Sequence, residues 1–372
     1  MILLNKKDIK AVFVIFLCSI SFVLHGQEDT TRIDKASFSI YPALSYAPET
    51  GIGYGAIGFY VTKGKANEVR DEFYRPTSIS PYVVYTTKKQ ILSALDIDMY
   101  LNNGINLNGK IRYFDFPDFF YGTGNDTDVD IKEQYTDQFF RINGRAVKPI
   151  GTNTFVGILY DLQYNNIKKV QSQGMLETAS PKGITGGRNF GIGPGLLLDS
   201  RNSTLYPTRG SFLNMAITAF NEVIGSEYNY VSYLLDYRKY FEFLGPKNIV
   251  AFQFRMNMTS GTDIPFYKLP KLGGDERIRG IEHKNLYQDR QSVYFQVEGR
   301  QELFWRFGGV IFAGMGEVFN DFNDFSSNDL IWIYGLGGRF RALKDEKLNI
   351  RMDLGFTTNG QSAVYLSVRE AF

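Results

Sequence analysis

From residue 37 to residue 372 the chain is a succession of segments in which apolar and polar residues alternate, separated by clusters of Gly, Asn, Asp and Pro. A period of two places one parity on each face of a sheet, so each segment predicts a strand with one greasy and one polar face. The segments fall near 37–47, 51–63, 76–87, 89–101, 104–115, 134–147, 152–167, 184–199, 209–222, 226–241, 248–260, 290–305, 308–320, 328–342, 347–358 and 361–372, sixteen in all. In the eleventh, Val250, Phe252, Phe254, Met256 and Met258 oppose Ala251, Gln253, Arg255, Asn257 and Thr259. The fifteenth repeats the pattern, with Leu348, Ile350, Met352, Leu354 and Phe356 against Asn349, Arg351, Asp353, Gly355 and Thr357.

Two architectures accept such strands. A soluble sandwich buries the apolar faces, whereas a transmembrane barrel turns them to lipid and wraps the ionic faces around a lumen. The spacing of the turns favours the barrel. Connections after even-numbered segments are mostly short, as at 102–104, 149–151, 245–247 and 344–346, while three after odd-numbered ones are long, near 116–133, 168–183 and 261–289. Short turns on one rim and long loops on the other describe an all-β, antiparallel, sixteen-stranded outer-membrane barrel with both termini in the periplasm. Trp332, Tyr334 and Phe340 near segment ends suit aromatic girdles. Phe372 closes the last segment, in which Glu370 is the one charge on the greasy parity.

Composition then narrows the function classes. Lys6, Lys7 and Lys10, the apolar run 11–24 and Gly26 have the three-part form of a secretory signal, expected to end near residue 26. A short periplasmic tail, 27–36, would lead into the barrel, 37–372. Without residues 1–26 the 41 basic and 39 acidic residues lose three Lys and one Asp, leaving 38 of each, and Cys18 and His25 are lost as well. A neutral chain argues against nucleic acid as a partner. With His283 the one remaining histidine and no cysteine, neither a metal site, a cofactor site nor His-based catalysis is expected. The chain also carries 31 Phe, 24 Tyr and 37 Gly, a composition suited to a lipid-facing sheet.

The longest polar interval of the C-terminal half, LGGDERIRGIEHKNLYQDR at 272–290, feeds directly into the twelfth segment. It resembles the sixth outer loop of the BamA/TamA (bacterial surface antigen) superfamily of outer-membrane barrels. In that family a Val/Ile-Arg-Gly-Phe/Tyr motif folds back into the lumen; here it stands as Ile278-Arg279-Gly280-Ile281, with Ile281 in place of the aromatic. Glu298 and Arg300 resemble the family's Glu-x-Arg on the twelfth strand. The stretch FAGMGEVF resembles its Asp-x-Gly on the thirteenth, with Gly314 where the aspartate would stand and Gly316 retained. Asp199, Arg201, Pro207 and Gly210 look like the family's turn before the ninth strand. The periplasmic POTRA repeats of the family have no counterpart in this sequence.

A guanidinium drawn into a lumen needs anionic partners. Glu298, Arg300 and Gly316 are the expected partners of Arg279, with Glu298 as its ionic contact. The absent aspartate is expected to leave Arg279 one partner short. The resemblance also implies a weak lateral seam between the first and last strands, assigned here to Pro42, Tyr46, Leu366 and Phe372. Proline deletes a ladder donor, which would thin the seam's hydrogen bonding.

Three other constellations carry less. Gly53-Tyr54-Gly55-Ala56-Ile57-Gly58 fits a dinucleotide fingerprint but lies in a strand with no helix after it. Asp126, Asp128 and Asp130 lack the glycine that a calcium loop needs, since Ile131 stands there. Lumen-parity carboxylates Asp96, Asp98, Asp236 and Asp353 lie among Arg112, Arg141, Arg255, Arg339 and Arg351, which reads as salt bridging rather than acid/base catalysis. The expected function is therefore non-enzymatic: insertion or translocation of unfolded outer-membrane proteins, or handling of lipid. Outer-membrane lipid and lipopolysaccharide would be its surroundings, and a homo-oligomer or periplasmic partner would recruit clients. A passive channel for small anionic solutes and a surface adhesin are the alternatives.

Overall fold

In lipid every backbone N–H and C=O must find a partner within the protein, and strands achieve this only by closing into a barrel. The structure, a computed structural model, describes residues 37–47, 50–61, 77–101, 104–204, 206–343 and 348–372. The expected signal segment and tail, 1–36, lie outside the described residues. Sixteen antiparallel strands close in sequence order: β1 Ser37–Ala47, β2 Gly51–Val61, β3 Ser78–Thr86, β4 Ile91–Tyr100, β5 Asn106–Phe120, β6 Glu133–Gly151, β7 Thr154–Lys168, β8 Gly186–Asp199, β9 Gly210–Phe220, β10 Tyr230–Glu242, β11 Asn248–Gly261, β12 Gln291–Glu302, β13 Phe307–Phe319, β14 Ile331–Leu343, β15 Leu348–Thr357 and β16 Ser362–Val368.

The outward parity is apolar and exposed. Ile311 is 71% exposed, and Trp332, Tyr334 and Leu336 of β14 stand out on the same face while Ile331 and Ile333 between them are buried. An apolar belt of this kind has lipid as its natural solvent.

Two boundaries differ from the alternation. β5 and β6 run on together as far as Phe120↔Glu133, past the expected loop start at residue 116. Asp115 interrupts the greasy parity, but ladder pairing does not depend on side-chain type, so the sheet continues as a ribbon longer than a bilayer requires. At the other end β16 stops at Val368 rather than reaching residue 372. Arg369 takes φ 74°, turning the chain so that Glu370 and Phe372 become buried inside. Glu370 therefore does not face lipid, and Phe372 is not part of the β1–β16 seam.

The lumen is not ionic throughout. Inward-facing Tyr294, Val310, Phe312, Val318, Ile331 and Ile333 form an apolar cluster with Leu272, Ile278, Ile281, Leu286 and Tyr287 of the loop between β11 and β12. A second core lies among the loops, where Phe120, Tyr135 and Ile167 pack on Leu176 of α1 (Met175–Ala179) and on Phe266 and Tyr267.

Candidate functional site: a lid clamped in the lumen

The loop spanning 262–290 leaves β11, makes a short 3-10 turn at Phe266–Lys268 and descends into the barrel before β12 begins. Its tip is completely enclosed: Ile278, Arg279 and Ile281 have no exposed surface. Leu272, Ile278 and Ile281 supply the apolar underside that the inward cluster covers, so hydrophobic burial holds the lid down before any charge is considered.

Arg279 is then fixed by two carboxylates from opposite sides of its fork. Nη2 donates to Glu298 Oε1, and Nη1 donates to Asp353 Oδ2 at 2.9 Å. The Phe312 ring lies 3.8 Å from the guanidinium carbon, adding a cation–π contact in a site closed to water. Both acids are completely buried and shared with further arginines. Arg300 Nε reaches Glu298 Oε2 at 2.7 Å, while Arg339 Nη1 at 2.5 Å and Arg351 Nη1 at 2.7 Å bind the two oxygens of Asp353. The ring continues through Glu370, whose Oε2 accepts from Arg339 Nε at 2.8 Å and lies 4.0 Å from Arg300 Nε. Alternating charges of this kind offset the desolvation that would expel any one of them alone.

Backbone shape is as demanding as charge. Gly280 has φ 110°, and a Cβ there would lie 2.9 Å from the Phe356 nitrogen. Across from it, a Cβ on Gly355 would lie 2.7 Å from the Gly280 nitrogen, so two glycines let the lid and β15 touch main chain to main chain.

The rim of the lid is stitched to its surroundings. Tyr365 Oη donates to the Ile281 carbonyl at 2.9 Å, Gln361 Nε2 donates to Tyr287 Oη at 2.6 Å, and Arg351 Nη2 donates to the Asp275 carbonyl at 2.9 Å. On the opposite side Asn285 Nδ2 donates to the Phe119 carbonyl at 3.0 Å, and the Gly124 N–H donates to the Gln288 carbonyl at 2.9 Å. His283 is 4% exposed against Phe119 and Tyr121, not the solvated loop histidine its sequence context suggests. Burial lowers its imidazole from 6.5 to about 3, although Asp118, 3.4 Å away, pulls in the other direction.

Several expected placements differ. Arg300 does not contact Arg279; like charges separate, and the two share Glu298 while Arg300 turns to Glu370 and to the Phe372 carbonyl at 2.9 Å. Gly316 is not a partner of the arginine either: a Cβ there would lie 2.6 Å from Leu272 Cδ1, so this glycine makes room for the lid's apolar shoulder. Asp353 on β15 supplies Arg279 with a second carboxylate, while the arginine's buried Nε keeps no hydrogen-bond partner among the described residues. Asp353 was legible only as one lumen-parity acid among several. At the seam, β1 and β16 have one registered pair among the described residues, Tyr46↔Leu366, against eleven between β1 and β2. Pro42 is exposed and lies in register with Ala56 of β2, and among the described residues no β16 residue is in register with it.

A profile of the Omp85 superfamily domain matches residues 56–358. The chain belongs to the Omp85 superfamily. No curated protein sequence matches it. Among solved structures this Omp85 barrel is similar to BamA from Haemophilus ducreyi lacking POTRA domains 1–3, with a TM-score of 0.60 and 14% identity over 90% of this chain and 70% of that one. It is also similar to CdiB from Acinetobacter baumannii (TM-score 0.56, 11% identity, 90% of this chain and 60% of that one). CdiB from Escherichia coli aligns at TM-score 0.57 and 9% identity over 94% of this chain and 73% of that one. At such identities the likeness is one of fold: a closed sixteen-stranded barrel of the outer membrane.

Proposed function

We propose that this Omp85 barrel inserts or translocates unfolded polypeptide, or passes lipid, at the outer membrane by parting its β1–β16 seam, with no chemical step. The observation that carries this reading is the contrast between a single registered pair at that seam and the fully registered ladders on either side of it. A seam with so little registered pairing among the described residues is the least costly place to open a barrel, and opening it exposes unpaired strand edges to which an incoming strand can add. In this reading the lid keeps the lumen shut to solutes while the wall opens sideways, and a periplasmic partner or a second copy delivers the client.

The test is a disulfide across the seam. In a Cys18→Ser background, Tyr46→Cys with Leu366→Cys locks the one registered pair. Reconstituted in liposomes, the reduced protein is expected to accelerate folding of another outer-membrane barrel or scrambling of a labelled lipid, and the oxidised protein to lose that activity. Equal activity in both states would sink the proposal. A steady anion conductance that persists when the seam is locked would point to the passive channel instead.

A further inference from the structure

The turn rim of the wall formed by β12 to β15 encloses a cavity of about 130 Å³. Its charged lining is lopsided, with Lys247, Arg300, Arg306, Arg339 and Arg341 against Glu302 and Glu370. Three of those guanidinium groups each retain a buried N–H with no protein partner: Nη1 of Arg300, Nη2 of Arg339 and Nε of Arg341. Arg300 and Arg339 are 2% and 3% exposed. Neither can rotate to hide its free donor. Arg300 is held by Glu298 and the Phe372 carbonyl, and Arg339 by Glu370 at 2.8 Å and Asp353 at 2.5 Å. Three charged groups that line one void, each with an unmet buried donor and two of them fixed, are a costly arrangement unless an anion with several acceptor oxygens completes it.

We infer that this cavity binds a phosphate group. A tetrahedral oxyanion offers separate oxygens to donors on two strands, β12 and β14, and its double charge answers five basic side chains set against two acidic ones. Two sources share that chemistry, a phospholipid headgroup and free phosphate. The rim carries Phe304 and Trp305, 69% and 67% exposed, residues suited to the headgroup level of a bilayer, so the lipid source lies within reach. Glu370 limits the affinity, because its carboxylate stands on the same cavity wall. The site goes beyond the transport reading and does not depend on it.

Arg341→Gln is the informative variant: Arg341 lies outside the buried ring around Asp353, and its Nη2 binds Glu302 at the rim. Glu370→Gln is its counterpart. Folding of both is checked by heat-dependent gel mobility. Inorganic phosphate is titrated calorimetrically into the full barrel in a maltoside detergent. In parallel, native mass spectrometry of barrels released from phosphatidylglycerol nanodiscs, or from nanodiscs of a phosphate-free glycolipid, reads retained lipid. Saturable phosphate binding is expected to weaken at least about tenfold in R341Q, the loss of one charge-assisted hydrogen bond, and to strengthen severalfold in E370Q. Phosphatidylglycerol retained by wild type and lost in R341Q assigns the lipid source; phosphate binding without retained lipid assigns the free anion. No saturable binding in either arm, or affinities unchanged in both variants, overturns the proposal.

Discussion

The wall from β12 to β15 and the wall from β16 through β1 to β2 are cut from the same kind of alternating sequence, yet they are held in different ways. In the first, Glu298, Arg339, Arg351 and Asp353 form a buried ionic ring that closes on Arg279, with an apolar cluster beside it. In the second, among the described residues, β16 is in register with β15 over seven pairs and with β1 at one. Cohesion within the barrel is therefore concentrated on one side and withdrawn from the other. In the proposed function the seam loosens while the lid stays docked, because the contacts holding the lid come mainly from β12, β13, β15 and the loop between β5 and β6. The link to the seam runs through Tyr365 and Gln361, two hydrogen-bonding side chains at the β15–β16 end.

The comparison breaks most decisively at Arg279. Arg279→Ala leaves Glu298 and Asp353 buried beside a void, a loss of about 3–5 kcal/mol of lid docking. Trypsin is expected to cut the variant after Lys284, in a loop that resists cleavage in the intact protein. Arg279→Lys is expected to fail nearly as badly, since a point charge cannot span both carboxylates. A lid that stays protease-resistant in R279A would show that the apolar underside alone suffices.

Gly280→Ala comes next. It forces a Cβ to within 2.9 Å of the β15 main chain at a φ of 110°, and about 1–3 kcal/mol of docking is expected to go, read by the same cleavage. Gly338→Ala on β14, where a Cβ meets nothing within 4 Å, is the control and is expected to stay within about 0.5 kcal/mol of the parent.

Acid acts on the same wall more gradually. The docked His283 has its proton affinity lowered from 6.5 to about 3, so the released lid binds more protons than the docked one between those values. The His283 contribution to docking is therefore complete above pH 6.5 and weakens as pH falls, by at most about tenfold per pH unit until the docked value is reached. Trypsin is inactive in acid, so cleavage with pepsin or hydrogen exchange of the 272–290 amides is the readout. His283→Gln is expected to flatten the profile.

The smallest effect sharpens the seam side. Pro42→Ala restores a backbone donor on β1, but Pro42 is exposed and registers with Ala56, away from the β16 contact at Tyr46. Thermal unfolding and seam crosslinking are expected to stay within about 0.5 kcal/mol of wild type. A marked stabilisation would return Pro42 to the seam.

Alternation along the chain was enough to read sixteen strands and their lipid-facing parity, because a period of two is a local property of consecutive residues. The loop's entry into the barrel and the part played by its arginine came instead from the resemblance of Ile278-Arg279-Gly280-Ile281 to the BamA/TamA loop motif. What only the folded barrel decided is which strands face one another across the lumen. Asp353 meets Arg279 from 74 residues away, and Gly355 faces Gly280. Glu370 swings inward at Arg369, although its place in the alternation faced it to lipid. Parity assigns a side chain to a face, but its partners on that face are set by closure of the sheet and by the volume the lid fills, and neither is a property of any one strand.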